Sequence, residues 1–293
     1  MSSILTNSSA MVALQTMKGI NSNLNQVQNE ISTGKSVSSA KDNAAVWSIS
    51  KTMESDVSNF ETIGENLSLG QSTVSVAREA ATSVTDRLTE MKNKIVSAQG
   101  KTGEDQKTIQ ADIDALKEQI KSTVDSAQFN GVNLVSSDDY KVDDADATSG
   151  YQVLSSLNRG TDGTVTTGKI TVSGQNLSQD AGGGLEGLAD ITLTPAAGEE
   201  LDIDALLTQM DTLIGVATDA AASFGSKENQ LTMQSDFVSK LSDAVETGIG
   251  AMVDADMEEA SARLQALQVQ QQLSTQSLSI ANQAPQSILS LFQ

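Results

Sequence analysis

Residues 46–95 read VWSISKTMESDVSNFETIGENLSLGQSTVSVAREAATSVTDRLTEMKNKI. Steps of seven from Val46 land on Met53, Phe60, Leu67, Val74, Ala81, Leu88 and Ile95, all apolar. With 38% hydrophobic residues in the chain, chance would give such a run on the order of 1 in 2,000 times per starting point. Three residues further on, Ile49, Ile63, Ala77, Val84, Met91 and Ala98 make a companion row, broken at Asp56 and Gly70. The pattern predicts one helix of about 50 residues, roughly 80 Å long at 1.5 Å per residue. Strict sevenfold spacing implies a packed seam with left-handed supercoiling.

The same ladder recurs in the second half of the chain. Ile203, Met210, Ala217, Phe224, Leu231, Val238, Val245 and Met252 are again seven apart. Between the two ladders a shorter helix is predicted over 105–128, with its seam at Ile109, Ile113, Leu116, Ile120 and Ala127. Gly100-Lys101-Thr102-Gly103 turns the chain before it, and Asn130-Gly131 turns it after. Three helices with matched seams predict a mainly α fold, an elongated antiparallel helical hairpin or coiled-coil bundle. From about 136 to 198, Gly, Asp, Ser and Thr dominate, and apolar residues alternate as in Lys169-Ile170-Thr171-Val172. This predicts a small β-hairpin-containing insert at the tip.

The two ends differ from the rest. The formal net charge is −20, yet residues 1–17 and 264–293 contain no Asp, Glu, Lys or Arg. Residues 11–31 carry Met11, Leu14, Met17, Ile20, Leu24, Val27 and Ile31 as an amphipathic stripe. The C-terminal ladder runs Met257, Ala260, Leu264, Leu267, Gln271, Ser274, Leu278 and Ala281, and Val269, Leu273, Ile280 and Leu289 add apolar surface off it. A helix whose non-seam face is Gln and Ser rather than charge suits contact with protein more than with water. A bundle closed by its own seams has no groove for two more helices. The ends are therefore expected to pair with each other and with copies of the chain, and to be poorly ordered before they do.

Composition removes several function classes. An acidic chain does not suit nucleic acid, whose binding surfaces are basic. No Cys and no His means no Cys/His metal site, no thiol chemistry and no Ser-His-Asp triad. No apolar run is long enough to span a membrane, and the N-terminus lacks the pattern of a cleaved secretory signal. Gly182–Gly187 fits GxGxxG but has no strand before it. Ser48-Ile49-Ser50-Lys51 fits SxxK but lies inside the long helix without partner motifs. Asp138, Asp139, Asp143, Asp144 and Asp146 lack the Gly and Glu positions of an EF-hand loop and read as a solvated acidic loop. Seam methionines such as Met53, Met91, Met210 and Met252 read as core packing. Trp47 reads as packing too, with Asp42 and Asn43 capping the helix. No catalytic, cofactor-binding or metal site is expected.

Four stretches together resemble bacterial flagellin, and alphaproteobacterial flagellins in particular. They are ILTNSSAMVALQTM at 4–17, ISTGKSVSSAKDNAAVWSIS at 31–50, SAQFNGVNLV at 126–135, and the C-terminus from Asp254 onward. The resemblance implies a hairpin-shaped subunit that leaves the cell unfolded through the flagellar type III apparatus. It would polymerise outside into the swimming filament. It further implies inner-tube helices at 1–43 and 253–293, bundle halves at 44–135 and 201–252, and a short variable region at 136–200. The implied partners are further copies, with or without other flagellins, an export chaperone, and the cap and hook-junction proteins. Implied interface residues are Met11, Leu14, Met17, Ile20, Leu24, Val27, Ile31, Leu264, Leu267, Leu273, Leu278, Ile280 and Leu289. Uncharged ends suit burial inside a filament, where each charge would have to be desolvated.

Flagellins also carry a stretch read by an animal Toll-like receptor, here Asp86–Met91. Arg87 and Glu90 match the family pattern, while Thr89 stands where Arg is usual and Met91 where Leu is usual. Weak recognition is expected. The plant-perceived stretch falls at 29–50, with Val46-Trp47 replacing the common Gly-Leu. Two other readings stand beside the filament subunit: a hook–filament junction protein with flagellin-like ends, and a secreted type III effector or adhesin acting through its insert.

Overall fold

The structure, a computed structural model, describes residues 7–136, 150–160, 164–193 and 202–289, with side chains as far as residue 283. The acidic loop Asp138, Asp139, Asp143, Asp144 and Asp146 lies outside the described residues. Five α-helices are seen among the described residues: α1 (Ser8–Thr33), α2 (Ala44–Ser97), α3 (Glu104–Ser126), α4 (Ile203–Val253) and α5 (Met257–Leu289). Two antiparallel hairpins join them, β1 (Gln128–Phe129) with β2 (Val132–Asn133) and β3 (Tyr151–Arg159) with β4 (Val165–Val172). The chain divides into one unit of Met1–Val57 with Asp243–Gln293, and another of Ser58–Ser242.

In the second unit the ladders read from sequence become the core. Leu67, Val74, Ala81, Leu88 and Ile95 of α2 are buried, as are Met210, Ala217, Phe224, Leu231 and Val238 of α4. The α3 seam joins them, with Ile113 and Ile120 fully buried. Cross-helix polar pairs fix antiparallel directions. Gln71 Nε2 donates to Thr232 Oγ1 at 3.1 Å, Arg78 pairs with Glu228 at 2.7 Å, and Lys92 pairs with Asp211. Lys94 ties α2 to α3 through Asp112 at 2.6 Å, and that carboxylate raises the Lys94 pKa, chiefly by its hydrogen bond. Asn130 (φ +50°) and Gly131 (φ +81°) make the two-residue turn between β1 and β2.

Gly70, which breaks the companion row of α2, has a positive role. A Cβ placed there would lie 2.6 Å from a Val153 methyl. The gap is the socket into which β3 seats Val153, itself buried. Gln234 Nε2 on α4 donates to the Ser155 carbonyl at 2.8 Å, and the Thr73 and Tyr151 hydroxyls lie 3.3 Å apart. The hairpin is thus bonded to both long helices.

The stretch after β4 is more than solvated loop. Leu177, Leu185, Leu188, Ile191 and Leu193 are buried. Helix side chains supply the hydrogen bonds that this irregular backbone needs. Gln110 Oε1 accepts from the Leu193 N–H at 2.6 Å, Lys117 Nζ donates to the Ile191 carbonyl at 2.6 Å, and Gln209 Nε2 donates to the Gly187 carbonyl at 2.8 Å. Gly183 and Gly184 sit where a Cβ would meet the Ser178 and Asn176 carbonyl oxygens at 2.2 and 2.8 Å. The Gly182–Gly187 motif therefore serves close packing around a 3-10 turn at Glu186–Leu188.

Two expectations are corrected. Ile49, placed in the companion row, is 52% exposed, because it precedes the stretch of α2, Ile63 to Ala98, whose rows are buried in the α2–α3–α4 core. Asp42 does not cap α2. Asn43 does, its Oδ1 accepting from the Val46 N–H at 3.2 Å. Asp42 Oδ2 instead accepts from the N–H and hydroxyl groups of both Ser38 and Ser39, at 2.9 to 3.2 Å.

Candidate functional site

The terminal helices form a site of their own. At the N-terminus of α1, Asn7 Oδ1 accepts from the Ala10 N–H at 3.1 Å. At its C-terminus Gly34 takes a left-handed φ of +70° and its N–H returns to the Glu30 carbonyl. α5 starts on Asp256, whose Oδ1 accepts from the Glu258 and Glu259 N–H groups at 2.9 and 3.2 Å. The two turns are stitched together. Ser36 N–H and hydroxyl both donate to the Val253 carbonyl, at 2.7 and 3.1 Å, and Ala255 N–H donates to the Gly34 carbonyl at 2.9 Å. Glu54 adds ion pairs to Lys51 at 2.5 Å and Lys35 at 3.5 Å. The Lys51 hydrogen bond is the main cause of its carboxyl lying below the ordinary value.

This arrangement lays α1 and α5 side by side, antiparallel. Near the turn the seam is apolar: Val27, Ala260 and Leu267 are buried, with Ile20, Leu24, Ile31 and Leu264 packed against them. Away from the turn the seam turns polar. Gln271 Nε2 donates to Asn21 Oδ1 at 2.7 Å, and Ser274 is 8% exposed. Asn7 Nδ2 donates to the Ala281 carbonyl at 2.8 Å. Met17 and Leu278 are half-buried there.

Most of the other large apolar side chains in this distal half point elsewhere. Met11 is 65%, Leu14 46%, Leu273 56% and Ile280 68% exposed. Val12 and Val269 are exposed with them. The thirteen residues singled out from sequence thus divide. Met17, Ile20, Leu24, Val27, Ile31, Leu264, Leu267 and Leu278 are brought together between the helices. Met11, Leu14, Leu273 and Ile280 face outward. Leu289 ends α5, and its side chain lies outside the described residues. Sequence reasoning passed over Val12, Asn7 and Asn21. The only signal for Val12 was the uncharged stretch around it.

The receptor-like stretch lies on α2. Arg87, Thr89 and Glu90 are at the surface. Arg87 and Glu90 form an ion pair at 3.2 Å, and the Thr89 hydroxyl donates to the Thr85 carbonyl at 2.9 Å. Met91 is fully buried in the bundle core.

Residues 4–139 match the bacterial flagellin N-terminal helical region, and 207–292 match the bacterial flagellin C-terminal helical region. The chain is 39% identical to a flagellin of Brucella melitensis over the whole of both chains. It belongs to the bacterial flagellin family. It is likewise 38% identical to Flagellin C of Rhizobium meliloti over all of both chains, and 36% identical to Flagellin FljM of Caulobacter vibrioides over all of this chain and 99% of that one. As a flagellin it is a structural subunit of the extracellular flagellar filament, and subunits of this family polymerise into that filament. No helix of the described residues is long and apolar enough to cross a membrane.

Proposed function

We propose that this flagellin polymerises through the outward side chains of its paired terminal helices, Met11, Leu14, Leu273 and Ile280, while the seam residues hold the pair together. The carrying observation is the inverted distal half of the pair. Amides and a serine lie in the seam, and large apolar groups lie on the water-facing side. Covering those groups with neighbouring copies removes apolar surface worth about 25 cal/mol per Å². Leu289 belongs to the same interface.

The chain is divided by role at 43/44, 135/136, 200/201 and 252/253 into inner helix, bundle half, insert, bundle half and inner helix. An export chaperone masks the C-terminal helix before assembly, and cap and hook-junction proteins meet the same ends. The subunit works by assembly and has no catalytic role, so a screen for hydrolase or oxidoreductase turnover is expected to be blank. The Arg87–Met91 stretch signals weakly to the animal receptor, since Thr89 and Met91 depart from the family pattern. Full potency in a reporter-cell assay would refute this.

Electron microscopy after seeding tests the assembly reading, with the full chain beside a truncation ending at Arg263 and a Leu273→Ser/Ile280→Ser variant. Long filaments from the full chain alone support it. Equal growth of all three overturns it. Short rings from the full chain would transfer the chain to the hook–filament junction.

A further inference from the structure

We propose that the outward stripe of α4 centred on Met233 and Phe237 is a second surface by which this flagellin meets another copy of itself, separate from the terminal helices. The two side chains stand one turn apart on α4, 67% and 58% exposed. Both lie in the Ser58–Ser242 unit. Single exposed aliphatic groups are ordinary on protein surfaces, but rings are scarce in this chain, at 3% of residues. Among the described residues Trp47, Phe60, Phe129, Tyr151 and Phe224 are buried or half-buried, and Phe237 alone of the rings is exposed. The turn that carries it is held in orientation. Leu231 and Val238 on either side belong to the bundle core, and Gln234 Nε2 is bonded to the Ser155 carbonyl of β3 at 2.8 Å. α4 cannot turn Met233 and Phe237 inward without giving up core and hairpin contacts together.

Charge identifies the occupant. Ala222, Ser226, Asn229, Gln230, Met233 and Phe237 are all exposed. Steps of three and four place them on one stripe, about 22 Å long at 1.5 Å per residue. None is charged. Asp219 and Lys240 end the stripe. At its margins stand Asp236 and Lys227, whose Nζ donates to Gln230 Oε1 at 3.2 Å. The outward stripe of α2 differs. It carries exposed Glu61, Glu65, Glu79, Asp86 and Glu90, of which Glu79 and Glu90 are paired with arginines. Copies with a net charge of −20 repel one another, so an uncharged stripe is where they approach at least cost. A basic partner would favour the α2 stripe instead, and nucleic acid or an anionic membrane would need basic groups that the α4 stripe lacks. Subunits of this family do polymerise, and covering a ring and a thioether removes both from water. The proposal rests on that polymerisation and not on the terminal contacts proposed above.

Photo-crosslinking tests it, with a benzophenone amino acid replacing Phe237 in the full chain and filaments grown from seeds before irradiation. We expect adducts between copies in filaments and none in dilute, unseeded subunit. Met233→Ser/Phe237→Ser should raise the critical concentration for growth about tenfold or more. Its thermal melt should be unchanged, because neither side chain belongs to the core. Phe237→Leu, which keeps an apolar group, should grow more nearly as the native chain does. Adducts confined within one chain, or none in filaments, overturn the proposal, as does a critical concentration unmoved by the double serine change. A chain that gives no filaments with seeds yields no adduct between copies and overturns it too. The terminal contacts are scored by Leu273→Ser/Ile280→Ser. Filaments that tolerate that variant and still crosslink through position 237 count against the terminal reading alone.

Discussion

Gly70 and Asp42 each carry a role that their residue type alone does not announce. At Gly70 the missing side chain is occupied by Val153, whose β-branched side chain has little rotamer freedom with which to yield. Gly70→Leu is expected to lower stability by roughly 1–3 kcal/mol through overpacking. Val153→Ala in the same chain should recover part of that loss, so that thermal melts of the double variant fall short of additivity. Asp42 is held below the ordinary aspartate pKa, first by the Ser39 hydroxyl and N–H and then by those of Ser38, although it is fully exposed. Its lowered folded-state value means that the stabilisation is present above the ordinary aspartate value and is lost as pH falls toward the folded one. The protection of the Ser38 and Ser39 N–H groups from hydrogen exchange, relative to the intrinsic rate at each pH, should therefore fall on acidification below about pH 4. Asp42→Asn should show the reduced protection already at neutral pH.

At the level of helices, sevenfold spacing was a reliable guide because one geometric repeat governs a whole packed face. Both long ladders and the α3 seam are buried where three helices meet. The same reasoning had no purchase on Leu177, Leu185, Leu188, Ile191 and Leu193, whose spacing follows neither helix nor strand. Those residues are placed by glutamines and a lysine on the helices that bond the irregular backbone. For the terminal helices, the uncharged composition marked the outer parts of the two segments that form α1 and α5. It could not separate seam from outer face, because Gln271 and Ser274 looked like flaws in the ladder, whereas both lie in the seam and Gln271 bonds Asn21 of α1. The division is testable by truncation. Leu267→Ala, 8% exposed in the seam, should cost about 2 kcal/mol in the stability of the terminal pair. Leu273→Ala should change stability by no more than ~0.5 kcal/mol while raising the critical concentration for filament growth. Chemical denaturation and sedimentation of the same samples separate the two effects.

For the molecule as a whole, charge and assembly oppose each other. A subunit with net charge −20 repels its copies, and every charged side chain falls between Lys18 and Arg263. On the proposed interface, the ends that approach other copies are thus kept free of the repulsive groups, which fall on the rest of the chain. Salt should ease polymerisation over the range in which the screening length shortens from about 30 Å at 0.01 M to about 10 Å at 0.1 M. The expected observation is a critical concentration that falls across that range and then levels off. A critical concentration indifferent to salt would place the unfavourable charge interactions elsewhere than between subunits.

The bond between Asn7 and the Ala281 carbonyl spans 274 positions of sequence, and loop-closure entropy makes so distant a contact slow to form by itself. Once Ser36 is bonded to Val253 and Ala255 to Gly34, the gap left to close is only the length of two helices, and the pair can zip from the turn outward. Its distal end is then the last part to close and the first to open.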